Sequence, residues 1–126
     1  MLFGLELDRR LRAAGSPIKS LLAHPGYAAT SLQTSGPTGL LKFFGEMGNR
    51  FVAQSSARGA LPELFAATDP GAESGQFIGP DGRGEMKGHP TVVRPVASAE
   101  DPATARRLWE LSEELTGVRF DLSTAA

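Results

Sequence analysis

The sequence predicts an α/β fold in which an amphipathic helix leads into a buried strand. Residues 2–14 gather leucine and phenylalanine on and beside one helical face, and Gly15 stands where such a helix ends. Residues 18–23 are mostly apolar and stop at Pro25 and Gly26, because proline offers a sheet no N–H and glycine permits backbone angles closed to other residues. Ligands of open α/β sheets bind where strands end at their carboxyl edge. This segment therefore indicates one wall of a cofactor cleft.

A longer helix and a second strand are expected in the middle of the chain. The helix is predicted over about residues 53–68, with Pro62 near a break or in the first turn. Its inward positions are expected at Leu61, Leu64 and Phe65. A short strand is predicted over 75–79, turn residues follow over 79–84, and the segment 85–90 is expected to be loop.

The last helix has a clear start signal. Asp101 can cap the helix and Pro102 fits its first position. One face is expected to be lined by Leu108, Leu111, Leu115 and Val118, with Trp109 beside it. The two strands are expected to be parallel neighbours joined by a right-handed crossover, which leaves the first strand with an open edge.

Composition excludes several classes of function. The chain has 126 residues, a formal net charge of −1 and no cysteine. Such a balance gives no electrostatic reason to expect nucleic acid or an anionic membrane as a partner. The absence of cysteine excludes disulfides and thiolate chemistry, and with it we expect a cytoplasmic location. No apolar run approaches the roughly 20 residues that a membrane span needs.

The residue types and spacings in the sequence give little support for a metal site or a simple acid–base site. His24 and His89 are the only imidazoles, and no ligand spacing accompanies them, so no metal site is expected. His24 could be a base paired with Ser31, but a packed or solvated histidine is favoured. The glycine run 79–84 lacks the helix start that a phosphate-binding loop requires. The acidic residues Glu110, Glu113 and Glu114, beside Arg106 and Arg107, indicate a solvated helix face.

Four motifs in order carry a resemblance to a known family. They are His24-Pro25-Gly26-Tyr27-Ala28-Ala29-Thr30, then Gly59-Ala60-Leu61-Pro62 with Ala66-Ala67-Thr68-Asp69-Pro70, then Gly75-Gln76-Phe77-Ile78-Gly79-Pro80-Asp81-Gly82, and last Leu108-Trp109-Glu110-Leu111-Ser112 with Leu115-Thr116-Gly117. The set resembles the short-chain dehydrogenase/reductase family, in the branch of retinol dehydrogenase-like and protochlorophyllide reductase-like oxidoreductases. The resemblance implies the C-terminal part of a Rossmann-type doubly wound sheet, with two parallel strands and mostly helical surroundings.

The resemblance also implies roles for particular residues. The backbone at Pro25, Gly26 and Tyr27 would meet the nicotinamide carboxamide, and Thr30 would hydrogen-bond the carboxamide or pyrophosphate region. The segment from Leu40 to Val52 resembles a substrate lid, although its spacing alone favours core. The lid residues are Leu40, Phe43, Phe44, Met47 and Phe51. No catalytic residue is assigned, because the family's catalytic Ser, Tyr and Lys and its glycine-rich nucleotide loop would precede this chain, and Tyr27 is followed four residues later by Ser31.

The expected organisation is a single partial domain over 1–126. Its segments are 1–30 (helix, strand and Pro-Gly cofactor loop), 31–56 (substrate lid), 57–97 (helix, last strand and loop) and 98–126 (C-terminal helix and tail). The helix at 2–14 begins without a capping residue, so we expect the chain to open inside an element.

Two interpretations follow. In the first, the chain is a truncated or mis-started portion of an oxidoreductase that uses NAD or NADP and transfers hydride between nicotinamide and a carbonyl or alcohol carbon. In the second, it is a non-catalytic interaction module or relic that self-associates through its exposed strand edge. Under either interpretation we expect the isolated chain to be inactive and to bind no dinucleotide.

Overall fold

A computed structural model describes residues 1–27, 54–120 and 122. The helices are α1 (Leu2–Ala13), α2 (Ser56–Gly59), α3 (Leu61–Thr68) and α4 (Pro102–Thr116), and the strands are β1 (Leu22–Ala23), β2 (Phe77–Pro80) and β3 (Pro90–Val93). Short 3-10 helices cover Arg83–Glu85 and Ala97–Ala99. The strands form one sheet in the order β1-β2-β3, so the predicted α/β class is confirmed.

Strands β1 and β2 are parallel neighbours, as predicted. The Leu22 N–H donates to the Gln76 carbonyl at 3.0 Å, and the His24 N–H donates to the Ile78 carbonyl at 2.9 Å. Donor and acceptor advance together along the two strands, which is the parallel pattern. β1 is nevertheless shorter than the predicted 18–23. The Ser20 N–H donates to the Ser74 hydroxyl instead of a ladder carbonyl, so regular pairing starts only at Leu22.

Strand β3 was missed by sequence reasoning, which assigned residue 90 to a loop. The Asp81 N–H donates to the His89 carbonyl at 2.9 Å, which closes a hairpin between β2 and β3 and makes the sheet mixed. The β-branched run Thr91-Val92-Val93 was the available signal. The run is short and follows glycine and proline, so its pattern is hard to distinguish from a loop.

The chain divides into two compact units. One comprises Met1–Leu22, Pro70–Phe77 and Arg94–Ala126, and the other comprises Ala23–Asp69 and Ile78–Val93. In the first unit α1 packs against α4 around Trp109, which is 1% exposed. The Phe3 ring stacks on the indole at 4.6 Å, and the Arg10 guanidinium lies 4.6 Å from its centroid. The indole Nε1–H donates to Glu113 at 2.8 Å, so both the ring and the polar edge of Trp109 are engaged.

The buried side of α4 is not the predicted apolar face. Trp109 and Ala105 are buried, whereas the residues predicted to line one face, Leu108, Leu111, Leu115 and Val118, are exposed. An indole buries more apolar area than a leucine, and here it also finds a stacking ring and a cation. Those contacts set the rotation of α4, and the leucines face outward.

Two acidic residues of α1, Glu6 and Asp8, are buried. Glu6 accepts hydrogen bonds from Arg9 and Arg10, both at 2.9 Å, and Asp8 accepts from the Arg12 Nε at 2.9 Å. A charge removed from water must be paired, and the arginines at i+3 and i+4 on the same helix supply the partners.

Asp8 also ties α1 to the chain around Ser74. The Ser74 hydroxyl donates to Asp8 at 2.5 Å and accepts from the Ser20 N–H at 2.9 Å, while Arg12 donates to the Ser74 carbonyl. A Cβ added to Gly75 would lie 2.7 Å from the Asp8 carboxylate, so the contact needs glycine there. Through this network, the buried carboxylate of Asp8 fixes the position of the segment that leads into β2.

In the second unit, the predicted helix over 53–68 is two helices. Ser55 caps α2, and the chain breaks at Ala60 before Pro62, which is buried in the first turn of α3. A continuous helix would need an N–H at position 62, which proline lacks. Leu64, expected inward, is 55% exposed, because burying Pro62 turns that side of α3 outward. Ile78 of β2 is fully buried in the sheet.

Among the residues that the structure describes, no helix combines the length and the apolar character needed to cross a bilayer.

Replacing Trp109 tests how far the first unit depends on it. We expect Trp109→Ala to lower the free energy of unfolding by about 3–5 kcal/mol, since it leaves a cavity beside Phe3 and Arg10. Trp109→Phe keeps a ring and loses the bond to Glu113, so a loss below about 2 kcal/mol is expected. Urea unfolding followed by circular dichroism measures both. Equal losses for the two variants would contradict the stacking argument.

The cap of α4 makes a pH-dependent contribution. The Thr104 hydroxyl, followed by the N–H groups of Ala103 and Thr104, bonds the Asp101 carboxylate and lowers its pKa below the ordinary value. The stabilisation is therefore present above the unfolded-state pKa and is lost as pH falls through the lower folded-state pKa. Asp101→Asn keeps a cap without a titrating group. We expect the stability difference between parent and variant to shrink between neutral pH and about pH 2, with Glu100→Gln as the control. A difference independent of pH would contradict this.

Candidate functional site

The candidate site lies in the second unit, where the carboxyl ends of two strands meet. The His24 N–H bonds the Ile78 carbonyl, so the chain leaving β1 through Pro25 and Gly26 runs beside the chain leaving β2 through Asp81. We call residues 24–27 the Pro-Gly loop and residues 81–89 the hairpin loop. The first loop was predicted as a site, and the second was predicted as turn residues up to position 84 followed by loop.

Gly26 is required by the backbone and by its neighbours. Its φ of 63° lies in the left-handed region, where a side chain is strained. A Cβ at this position would lie 2.6 Å from the Met86 carbonyl oxygen and 2.7 Å from that of Glu85. The Pro-Gly loop therefore packs against the hairpin loop at a distance that only glycine allows.

Gln54 holds the two loops together. It is only 5% exposed, its amide donates to the Pro25 carbonyl at 2.7 Å, and its side-chain oxygen accepts from the Gly88 N–H at 3.2 Å. Its backbone N–H donates to the Tyr27 carbonyl at 2.9 Å. Breaking one of these bonds would leave a buried polar group unsatisfied, so separating the two loops at Gln54 has a high free-energy cost. No pattern in the sequence distinguishes Gln54, so sequence reasoning missed it.

His24 joins the same two loops from the strand side. Its Nδ1 accepts from the Gly26 N–H at 3.3 Å, so the proton of a neutral ring lies on Nε2, which faces the Glu85 carboxylate at 3.1 Å. The ring packs over Gly79, where an added Cβ would lie 2.1 Å from Nε2. The favoured interpretation of a packed histidine agrees with this geometry. The alternative partner, Ser31, lies outside the described residues.

The Pro-Gly loop is thus fully braced from the protein side. The Pro25 carbonyl, the Gly26 N–H and both backbone groups of Tyr27 are engaged, the last through Gln54 and through the Met86 carbonyl at 2.6 Å. The Tyr27 ring is exposed. These backbone groups therefore already have partners within the protein, and a ligand would not need to order them.

The structure describes only part of the predicted site. It brings Pro25, Gly26 and Tyr27 together at the carboxyl edge of β1. Thr30 and the lid residues Leu40, Phe43, Phe44, Met47 and Phe51 lie outside the described residues. Within the described ranges, no group of three acidic or histidine side chains could hold a metal ion. The glycine run 79–84 leads into the 3-10 turn at Arg83–Glu85, in agreement with its interpretation as turn chemistry.

The chain is similar to two oxidoreductases over most of its length. It is 31% identical over 121 residues to polyprenol dehydrogenase of Mus musculus, a match that covers 92% of this chain and 32% of that protein. It is 30% identical over 119 residues to the short chain dehydrogenase/reductase dpfgH of Gibberella zeae, with 90% and 31% covered. No protein-family model matches the chain.

A solved structure shares the fold. The crystal structure of an uncharacterized protein from Mycobacterium paratuberculosis superposes with a TM-score of 0.64 at 35% identity, covering 95% of this chain and 36% of that one. The match agrees with the prediction that the chain represents part of a Rossmann-type sheet. The chain spans about a third of the length of the proteins it matches.

Two glycine substitutions separate backbone strain from close packing. Gly26 and Gly15 both have positive φ, but a Cβ at Gly15 would meet nothing within 4 Å. We expect Gly15→Ala to cost about 1–2 kcal/mol of unfolding free energy, and Gly26→Ala to cost about 2–5 kcal/mol because it adds the clash with Met86 and Glu85. Chemical denaturation of both variants gives the comparison. Equal costs would show that the two loops are not packed as described.

Proposed function

We propose that this chain, which is similar to two dehydrogenases, belongs to the short-chain dehydrogenase/reductase family and supplies one wall of the nicotinamide site in an NAD(P)-dependent oxidoreductase. The whole enzyme would transfer hydride between the nicotinamide ring and a carbonyl or alcohol carbon. The observation that carries the proposal is the braced Pro-Gly loop at the carboxyl end of a parallel strand. In open α/β sheets this edge is where dinucleotides bind.

In this proposal the Pro-Gly loop supports the bound cofactor but does not itself make the polar contacts to it. Its described polar contacts are directed into the protein, through Gln54, His24 and Met86. It would therefore hold the backbone near the carboxamide in place, while the hydroxyl of Thr30 would make the hydrogen bond to the carboxamide or pyrophosphate region. Binding to a pre-ordered loop loses less conformational entropy than binding to a mobile one, which favours the cofactor. The apolar residues from Leu40 to Phe51 are proposed as the substrate lid.

The proton-transfer groups of the proposed reaction are not assigned to this chain. Tyr27, its single tyrosine, has no lysine four residues later, and its backbone is occupied by structural bonds. Hydride transfer needs a positioned proton donor and a bound dinucleotide. We therefore propose that the 126-residue chain alone is inactive and binds neither NAD nor NADP. The cytoplasmic location expected from its cysteine-free sequence is part of the same proposal.

A second candidate function is a non-catalytic, self-associating module. The observation in its favour is that β1 ends the strand order of the described sheet, so one of its edges is available for pairing. The intact mass of the natural protein separates the two candidates. A mass near three times that of this chain would favour the enzyme, since the relatives are about that much longer.

Thr30→Val tests the cofactor role in an active protein of the relatives' length that contains this chain. The substitution keeps the branched shape and removes the hydroxyl, so we expect the dissociation constant of the dinucleotide to rise about 5- to 30-fold. Cofactor titration followed by nicotinamide fluorescence measures it. Thr68→Val is the matched control, because the Thr68 hydroxyl donates to Leu64 within its own helix. An affinity unchanged by Thr30→Val would mean that the hydroxyl has no cofactor contact.

A further inference from the structure

Helix α4 presents a row of apolar side chains to solvent. Leu108, Leu111 and Leu115 follow the i, i+3, i+7 spacing of one helical face and are 37%, 38% and 77% exposed. We call these three residues the leucine face. The buried side of α4 is occupied by Trp109 and Ala105, so the leucine face is a second apolar surface on the same helix. Contiguous exposed apolar surface of this kind marks protein–protein contact sites.

Charged residues border the leucine face in an asymmetric pattern. Arg107 lies toward the start of α4, and Glu114 lies toward its end on the same border, two turns away. Arg107 meets Glu110 at 4.0 Å, and both side chains are mostly exposed. A pair so long and so exposed contributes little, and Arg107 can exchange it for another carboxylate.

The apolar and charged pattern of α4 is complementary to the same pattern on a second α4 helix that runs antiparallel to it. When two α4 helices lie antiparallel about a twofold axis near Leu111, Leu108 of one copy faces Leu115 of the other. The same axis places Arg107 of each copy beside Glu114 of the other, twice by symmetry. In a parallel arrangement the Arg107–Glu114 borders of the two copies would lie on opposite sides of the interface, so these pairs would not form. Self-complementarity about a twofold axis is the property of an isologous dimer interface.

We propose that the leucine face is a dimerisation surface whose partner is a second copy of this chain, packed with its α4 antiparallel. The apolar side chains form the centre and the two Arg107–Glu114 pairs form the border. This surface differs from the free edge of β1, whose two residues, Leu22–Ala23, offer little backbone for pairing. The proposal is independent of the oxidoreductase proposal, because it concerns α4 and none of the residues of the Pro-Gly loop.

Cross-linking through a single cysteine tests the geometry directly. The chain has no cysteine, so Leu111→Cys introduces the only thiol, and the twofold axis places it beside its own copy. We expect mild oxidation of the purified 126-residue protein at micromolar concentration to give a covalent dimer. Leu64→Cys is the matched control, since Leu64 is also an exposed helical leucine, on α3. Its cross-linking should be much slower.

Charge reversal tests the border pairs. Sedimentation equilibrium should show a dimer for the parent, and either Arg107→Glu or Glu114→Arg should raise the dimer dissociation constant about tenfold. The double variant, which restores opposite charges, should return it close to the parent value. Circular dichroism confirms that each variant is folded. A monomeric parent, equal cross-linking at positions 111 and 64, or a double variant no tighter than the singles would each overturn the proposal.

Discussion

The parallel pairing of β1 with β2 is the constraint on which the candidate site depends. Two backbone bonds, Leu22 to Gln76 and His24 to Ile78, bring the carboxyl ends of the strands together. Because the chain must then leave both strands at one edge, the Pro-Gly loop and the hairpin loop come into contact. The left-handed backbone at Gly26, the clamp by Gln54 and the bridge by His24 follow from that proximity. A slip of register would remove all three at once.

The bracing of the Pro-Gly loop uses polar contacts, buried at Gln54 and partly exposed at His24. Gln54 and His24 both satisfy backbone groups of one loop and reach the other, so each contributes directional bonds instead of packing alone. Directional bonds hold a loop in one conformation, and unsatisfied alternatives are costly. This arrangement suits a segment that would meet a ligand with its outer surface.

Local patterns predicted the helix ends and failed to predict which helix faces are buried. Gly15 ends α1 and Asp101 caps α4, because capping is decided by a residue and its next few neighbours. The outward leucines of α4 could not be foreseen in this way. Their spacing indicates an apolar face. The side of α4 that is buried is nevertheless the one that carries Trp109, because the indole contacts an aromatic ring and a guanidinium on α1, which is distant in the sequence. Pro62 broke the predicted helix for a local reason, and its burial turned Leu64 outward.

By itself the sequence determined the α/β class, the parallel strands, the break at Pro25 and Gly26, and the resemblance to the short-chain dehydrogenase/reductase family. These depend on short-range chemistry: the missing N–H of proline, the freedom of glycine and the order of motifs along the chain. Only the tertiary structure decided that β1 is two residues long, that β3 exists, and that Gln54, His24 and Glu85 join two loops. Those outcomes depend on which hydrogen-bonding groups still lack partners when segments distant in the sequence come into contact. A local sequence pattern does not contain that information.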